Sequence, residues 1–214
     1  MIDDLFAEAT APADEALGPQ ARVLRGFALP RADALLAALE GVVAAAPLRR
    51  MRTPAGAMSV AMSNCGERGW VSDARGYRYS ALDPDSGRAW PAIPAAFRGL
   101  AGDAAAAVGF AGYAPDACLI NRYLPGARMG LHQDRDEGDK VAPIVSVSLG
   151  IPAVFLFGGP KRTDKPRRIE LHHGDVVVWG GVDRLRYHGV APVKPATHPR
   201  LGGQRINLTF RKTR

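Results

Sequence analysis

The pattern of apolar and polar positions changes character near residue 117. Upstream, after Pro30, the residues Leu35, Leu36, Leu39, Val42, Val43 and Ala46 return to one face at three- and four-residue spacing. That period predicts a helix, which Pro47 ends. "AFRGLAGDAAAAVGF" predicts a second helix, and "ARVLRGFAL" (21–29) and "MSVAMSN" (58–64) read as strands. The stretch 65–94, rich in Gly, Pro, Tyr and Trp, carries few signs of a packed element. From Ala117 the chain reads "ACLINRY", "RMGLH", "PIVSVSLG", "AVFLFG", "RIELH", "DVVVWG", "LRYHGV" and "RINLTFR". These short β-branched and aromatic runs, separated by Pro, Gly, Asp and Lys turns, predict an antiparallel barrel or double-sheet jelly roll. The expected class is therefore α+β, with N-terminal helices ahead of the jelly roll and a polar, aromatic segment between them. Residues 1–20, rich in Ala, Pro and acids, are expected to form a loosely packed arm on a single domain spanning 21–214.

Composition narrows the setting. With 214 residues, 47% hydrophobic and 23% charged, the chain suits one sizeable core. No apolar run approaches the about 18 residues of a membrane span. The start "MIDDLFAEA" is acidic where a secretory signal is basic. Two cysteines, Cys65 and Cys118, make no CxxC pattern. A cytoplasmic protein without membrane contact is the expectation. The net charge of +7 favours polyanionic partners such as nucleic acid. Arg49, Arg50, Arg52, Lys161, Arg162, Lys165, Arg167 and Arg168 are the candidates for phosphate contacts.

"LHQDRDE" (131–137) packs a histidine, three carboxylates and an arginine into seven residues. A charge run between apolar segments is ordinarily a solvated loop. Against that stands the spacing of His132 and Asp134, since residues two apart in an extended chain share a side. Two histidines and one carboxylate leave three coordination positions open, an arrangement suited to ferrous iron. His188 in "RYHGV" is a candidate third ligand. His172 and His173 in "LHHGD" compete with it, although a strand end and tight turn suits them as turn or surface residues.

The last strand carries a second signal. In "RINLTFR", Arg205, Asn207, Thr209 and Arg211 share one face while Ile206, Leu208 and Phe210 share the other. The polar face suits either an outer strand in water or the mouth of a barrel. In the second case two guanidiniums can bind a small dicarboxylate through paired, charge-assisted contacts. Asn121 and Tyr123 in "LINRY" have matching parity and can hydrogen-bond the same ligand.

Taken together, "LINRY", "LHQDRDE", "PIVSVSLG", "LHHGDVVVWGG", "RYHG" and "RINLTFR" resemble the AlkB family of iron(II)- and 2-oxoglutarate-dependent nucleic acid dealkylases. The resemblance continues through "MSVAMSNCG" and "GWVSDARGYRYSALDP", and so covers most of the chain from about residue 20. It implies a double-stranded β-helix core over about 115–214 and a nucleotide-binding lid over about 49–92. It implies Fe(II) ligands at His132, Asp134 and His188, and 2-oxoglutarate contacts from Asn121, Tyr123, Arg205, Asn207 and Arg211. Trp70, Tyr77, Tyr79, Asp136 and Arg162 are implied around the damaged nucleotide. The implied reaction consumes O2 and 2-oxoglutarate, hydroxylates the N-methyl carbon of 1-methyladenine or 3-methylcytosine, and releases formaldehyde. The implied substrate is single-stranded DNA first and RNA second, and the implied state is a monomer. An oxygenase of a protein or small molecule is the alternative, because it needs the same metal and cosubstrate residues. A non-catalytic nucleic acid-binding module is a remoter one.

Overall fold

The computed structural model describes residues 13–53 and 56–214. Among the described residues are two α-helices, α1 (Ala32–Ala45) and α2 (Ala95–Ala107). The N-terminal half also holds six strands: β1 (Glu15–Gly18), β2 (Ala21–Leu24), β3 (Arg49–Thr53), β4 (Gly56–Gly66), β5 (Gly69–Asp73) and β6 (Gly76–Ser80). Each of the eight runs from residue 117 holds one strand. They are β7 (Ala117–Tyr123), β8 (Met129–His132), β9 (Ile144–Gly150), β10 (Ala153–Phe157), β11 (Arg167–Leu171), β12 (Val176–Trp179), β13 (His188–Val190) and β14 (Arg205–Arg211).

The strands form an antiparallel sheet of eight, in the order β1-β2-β12-β9-β14-β7-β4-β3, facing a sheet of four, β11-β10-β13-β8. This is the double-stranded β-helix, or jelly roll, expected from the sequence. Strand alternation sets its layers. Ile206, Leu208 and Phe210 pack with Val145, Val147 and Leu149 against α1 and α2. Each such side chain contributes about 1.5–3 kcal/mol on burial. The opposite face of the same strands looks into the space between the two sheets. There Phe155, Phe157 and Trp179 close one end in an aliphatic and aromatic cluster, and the polar residues of β14, β7 and β9 fill the middle.

Three expectations need correction. The arm reading fails for 15–18, because β1 pairs with β2 and buries Leu17; residues 1–12 lie outside the described residues. The stretch 65–94 does hold packed structure: β5 and β6 form a hairpin, and Val71, Trp90 and Ile93 are buried. Its apolar positions are too sparse for a period to emerge, and glycine lets a ring lie directly against the backbone. A Cβ on Gly69 would sit 2.5 Å from the Trp90 ring. Finally, the solvated alternative for β14 is excluded. The strand lies between β9 and β7, and Arg205 and Arg211 are 2% and 6% exposed. Cys65 and Cys118 are buried register partners with free thiols. Among the described residues no helix is long and apolar enough to cross a membrane.

Candidate metal centre and cavity

β8 and β13 are neighbours in the small sheet, and their register sets His132 opposite His188. Asp134 follows two residues after β8 and turns back between the two rings. One ligand atom from each of His132, Asp134 and His188 lies within 4.8 Å of the others. Among the described residues this is the one such group of three or more. His132 Nε2 is 3.5 Å from Asp134 Oδ1, and His188 Nε2 is 3.7 Å from Oδ2. The Nδ1 atoms face carbonyl oxygens, His132 to Gly130 at 2.8 Å and His188 to Arg186 at 3.0 Å. A carbonyl can only accept, so each Nδ1 carries a proton, which leaves Nε2 as the atom that can ligate. That is the tautomer a metal requires. The His188 imidazole is pushed down to about 3 by burial and by His132 beside it, so it stays neutral. The donor set therefore fits a divalent metal.

The glycine between His188 and Val190 makes this approach possible. A Cβ on Gly189 would lie 2.7 Å from the Met129 carbonyl oxygen on β8.

Asp134 is a buried carboxylate, and burial alone would raise its pKa. Arg211 and the two histidines outweigh that and hold it well below the usual range. Arg211 Nη2 lies 2.6 Å and Nε 2.8 Å from Asp134 Oδ2. Arg184, 1% exposed, donates through Nη1 to the Asp134 carbonyl at 2.6 Å and through Nη2 to Glu137 at 3.1 Å.

Next to the triad a small cavity is lined by Asn121, Tyr123, Asn207 and Arg211. Arg205 lies with its guanidinium carbon 5.1 Å from the centre of the Tyr123 ring. Arg205 Nη2 donates to Ser148 Oγ at 2.9 Å, but Nε and Nη1 have no hydrogen-bond partner, nor does Asn121 Oδ1. A buried guanidinium with two unused donors and no counterion is costly unless an anion completes it. The residues thus fit a carboxylate ligand such as 2-oxoglutarate. Asn207 lines the same cavity and braces its neighbours. Its Nδ2 donates to Ser146 Oγ and the Val147 carbonyl, and its Oδ1 accepts from Asn121 and Thr209. It is fully occupied in orienting its neighbours.

On the solvent side of the triad opens a cavity of 430 Å³. Trp70, Tyr77, His132, Asp136 and Arg162 line it, with Met58, Met62, Met129 and Leu119 as the apolar wall. Trp70 and Tyr77 stack at 5.5 Å, and Trp70 Nε1 donates to Asp136 at 3.3 Å. Four of the five residues expected around a nucleotide thus meet in one place. The fifth, Tyr79, does not line this cavity; its hydroxyl donates to Glu137 at 2.6 Å. His172 and His173 lie away from the triad: His172 is exposed beside Glu170, and His173 accepts from the Gly150 N–H and lies tilted against the His198 ring. Of the expected phosphate contacts, Arg49 is engaged by Asp83 and Asp85, and Arg167 by Glu15. Arg50, Arg52, Lys161, Arg162, Lys165 and Arg168 are exposed.

Sequence reasoning missed Asn64, whose side chain clamps the Trp70 backbone through two 3.0 Å hydrogen bonds. It also missed Ser146 and Ser148, whose alternation in "IVSVSLG" marks a polar face on β9 and was a readable signal. Arg184 and Glu137 carried none, since each looks like a surface charge.

Two outcomes follow from this geometry. Gly189→Ala forces β8 away from β13, so Mn(II) affinity measured by calorimetry should fall about 10-fold or more while the melting temperature changes little by comparison. Unchanged affinity would mean that the histidine pair does not depend on this close approach. Arg205→Lys loses the planar fork, so the apparent KM for 2-oxoglutarate should rise about 10-fold with oligonucleotide affinity unaltered. A main effect on oligonucleotide binding would place Arg205 in a phosphate contact instead.

A family model of the 2OG-Fe(II) oxygenase superfamily matches residues 20–211. The chain is 55% identical over 210 residues to the alpha-ketoglutarate-dependent dioxygenase AlkB of Salmonella typhimurium, covering 98% of this chain and 97% of that protein. To the mouse nucleic acid dioxygenase ALKBH1 it is 35% identical over 130 residues, 61% of this chain and 33% of that protein. The solved structure of OsALKBH1 matches with a TM-score of 0.80 at 30% identity, covering 94% of this chain and 100% of that one. A near full-length relative and a jelly roll that gathers a His-Asp-His cluster beside an unpaired buried arginine lead to one conclusion: the chain belongs to the AlkB family of iron(II)- and 2-oxoglutarate-dependent dioxygenases.

Proposed function

We propose that this dioxygenase removes N-methyl groups from alkylated nucleobases, 1-methyladenine and 3-methylcytosine first among them. His132, Asp134 and His188 hold the iron, and Arg205, with Asn121, Tyr123 and Arg211 around it, holds 2-oxoglutarate. Bound iron(II) with 2-oxoglutarate and O2 supplies the oxidising chemistry that hydroxylates the methyl carbon, with succinate, carbon dioxide and formaldehyde as products. The observation that carries the substrate reading is the cavity above the triad, where a Trp70–Tyr77 stack, the Asp136 carboxylate and Arg162 meet. A base must leave its stack to reach the metal, at about a few kcal/mol, and stacking on an aromatic face offsets that cost. A methylated base of this kind is cationic and cannot pair normally, so extrusion costs less. Asp136 favours the cation and accepts from its exocyclic amino group.

The mouse relative's name supports nucleic acid as the substrate class, as does the net charge of +7. Single-stranded DNA is the preferred form on this reading, because no partner strand has to be displaced, and RNA is the second. The exposed Lys161, Arg162, Lys165 and Arg168 supply phosphate contacts. We place the protein in the cytoplasm as a monomer. A protein or small-molecule oxygenase would leave the Trp70–Tyr77–Asp136 arrangement without a role.

The test is formaldehyde released from a single-stranded oligonucleotide carrying one 1-methyladenine, against the unmethylated control. Release is expected only from the first. Trp70→Ala should raise the oligonucleotide KM about 5-fold or more, the scale of one lost base stack. Asp136→Ala should reduce repair more than it reduces 2-oxoglutarate turnover without substrate. Succinate formation with no formaldehyde from DNA or RNA substrates would end the dealkylase reading. It would leave the protein or small-molecule oxygenase standing.

A further inference from the structure

The Glu137 carboxylate is 4% exposed and serves three donors. Its Oε1 accepts from the Tyr79 hydroxyl at 2.6 Å and lies 3.4 Å from Arg211 Nε; its Oε2 accepts from Arg184 Nη2 at 3.1 Å. Arg211 grips the Asp134 carboxylate, and Arg184 grips the Asp134 carbonyl. Glu137 therefore touches the Asp134 ligand arm by two routes, one through its side chain and one through its backbone.

On the other side, Tyr79 stands on β6 directly across from Trp70 on β5, and Trp70 stacks on Tyr77 two residues along β6. Whatever moves the β5–β6 hairpin moves Tyr79 with it. By strand pairing the hairpin is a separate two-stranded sheet, tied to the large sheet by the Asn64 side chain on the Trp70 backbone and by Ser72 on the Arg52 carbonyl. Such an element shifts at less cost than a strand inside the large sheet. The Tyr79–Glu137 bond thus links the hairpin beside the cavity to a buried carboxylate that contacts both arginines gripping Asp134. A charge-assisted hydrogen bond of this kind, shielded from water, is strong enough to transmit such a shift.

We propose that Glu137 is a positioning residue that couples the seating of the Trp70 hairpin to the geometry of Asp134. A seated substrate and a correctly placed metal ligand then favour one another, and less 2-oxoglutarate is consumed without dealkylation. The second half of this statement rests on the base-pocket reading above; the mechanical linkage does not. Linkage is reciprocal, so metal binding must also steady the hairpin.

The experiment is amide hydrogen exchange over residues 69–80 in the full chain, without metal and with saturating Mn(II) plus 2-oxoglutarate under argon. In the wild type, exchange should slow about 5-fold or more on loading, the lower range of coupling between two sites. Tyr79→Phe removes the hairpin's hold on Glu137 and leaves the Arg184 and Arg211 pairs intact. It should bind Mn(II) as before, yet show less than half of that slowing. In turnover with methylated oligonucleotide the same variant should yield fewer formaldehydes per succinate than the wild type, with Glu137→Gln following it wherever that variant folds. Equal slowing in wild type and Tyr79→Phe, or none in either, would overturn the linkage and leave Tyr79–Glu137 as packing alone. A wild type that releases no formaldehyde would overturn the dealkylase reading and leave the exchange result to decide the linkage by itself.

Discussion

Everything in this molecule that bears on chemistry turns on one buried carboxylate. Asp134 sits between two imidazoles and a guanidinium, 9% exposed, and remains ionised because Arg211 and the histidines outweigh its burial. A lone carboxylate could not stay charged there. The neighbours that keep it charged come from different parts of the fold: His132 from β8, His188 from β13, Arg211 from the end of β14. The pairing of the small sheet and its spacing against the large one must both be correct before these groups meet. The jelly roll is in this sense a device for bringing distant polar residues into one dry layer.

That layer explains why the sheet is built as it is. In the middle of the large sheet, β14, β9 and β7 keep an aliphatic side for the helices and set polar residues toward the interior. Asn207, Ser146 and Thr209 satisfy one another, while Arg205 is left with two free donors. A protein evolved only for stability would pair that guanidinium or replace it with an apolar side chain. Its unmet donors point to a ligand anion. The same logic holds at the cavity mouth, where an exposed Tyr77 stacks on Trp70 without burying either ring fully.

Much of this was legible in the sequence because β-structure writes its faces as alternation. All eight runs after residue 117 hold strands, and the parity of "RINLTFR" and "LINRY" places Arg205, Asn207, Asn121 and Tyr123 on one surface. Alternation does not say whether a polar face meets water or another sheet. That depends on strand order, and β14 became interior only through its two neighbours, which are separated from it by 55 and 82 positions in the case of their nearest ends. The choice among His188, His172 and His173 was likewise settled by the β8–β13 register. The hairpin of β5 and β6 shows no apolar period because glycines and tyrosines occupy it, although Tyr77 and Tyr79 two apart are also what an ordinary hairpin pair would present. Glu137 and Arg184 read as surface charges because their burial arises from one another.

The most direct measurement of the account's centre is the stoichiometry and affinity of Mn(II) binding, followed by electron paramagnetic resonance on the anaerobic protein. One tight site per chain is expected, lost in Asp134→Ala and in His188→Ala and retained in His172→Ala. Retention of that site in Asp134→Ala, or its loss in His172→Ala with folding intact, would contradict it.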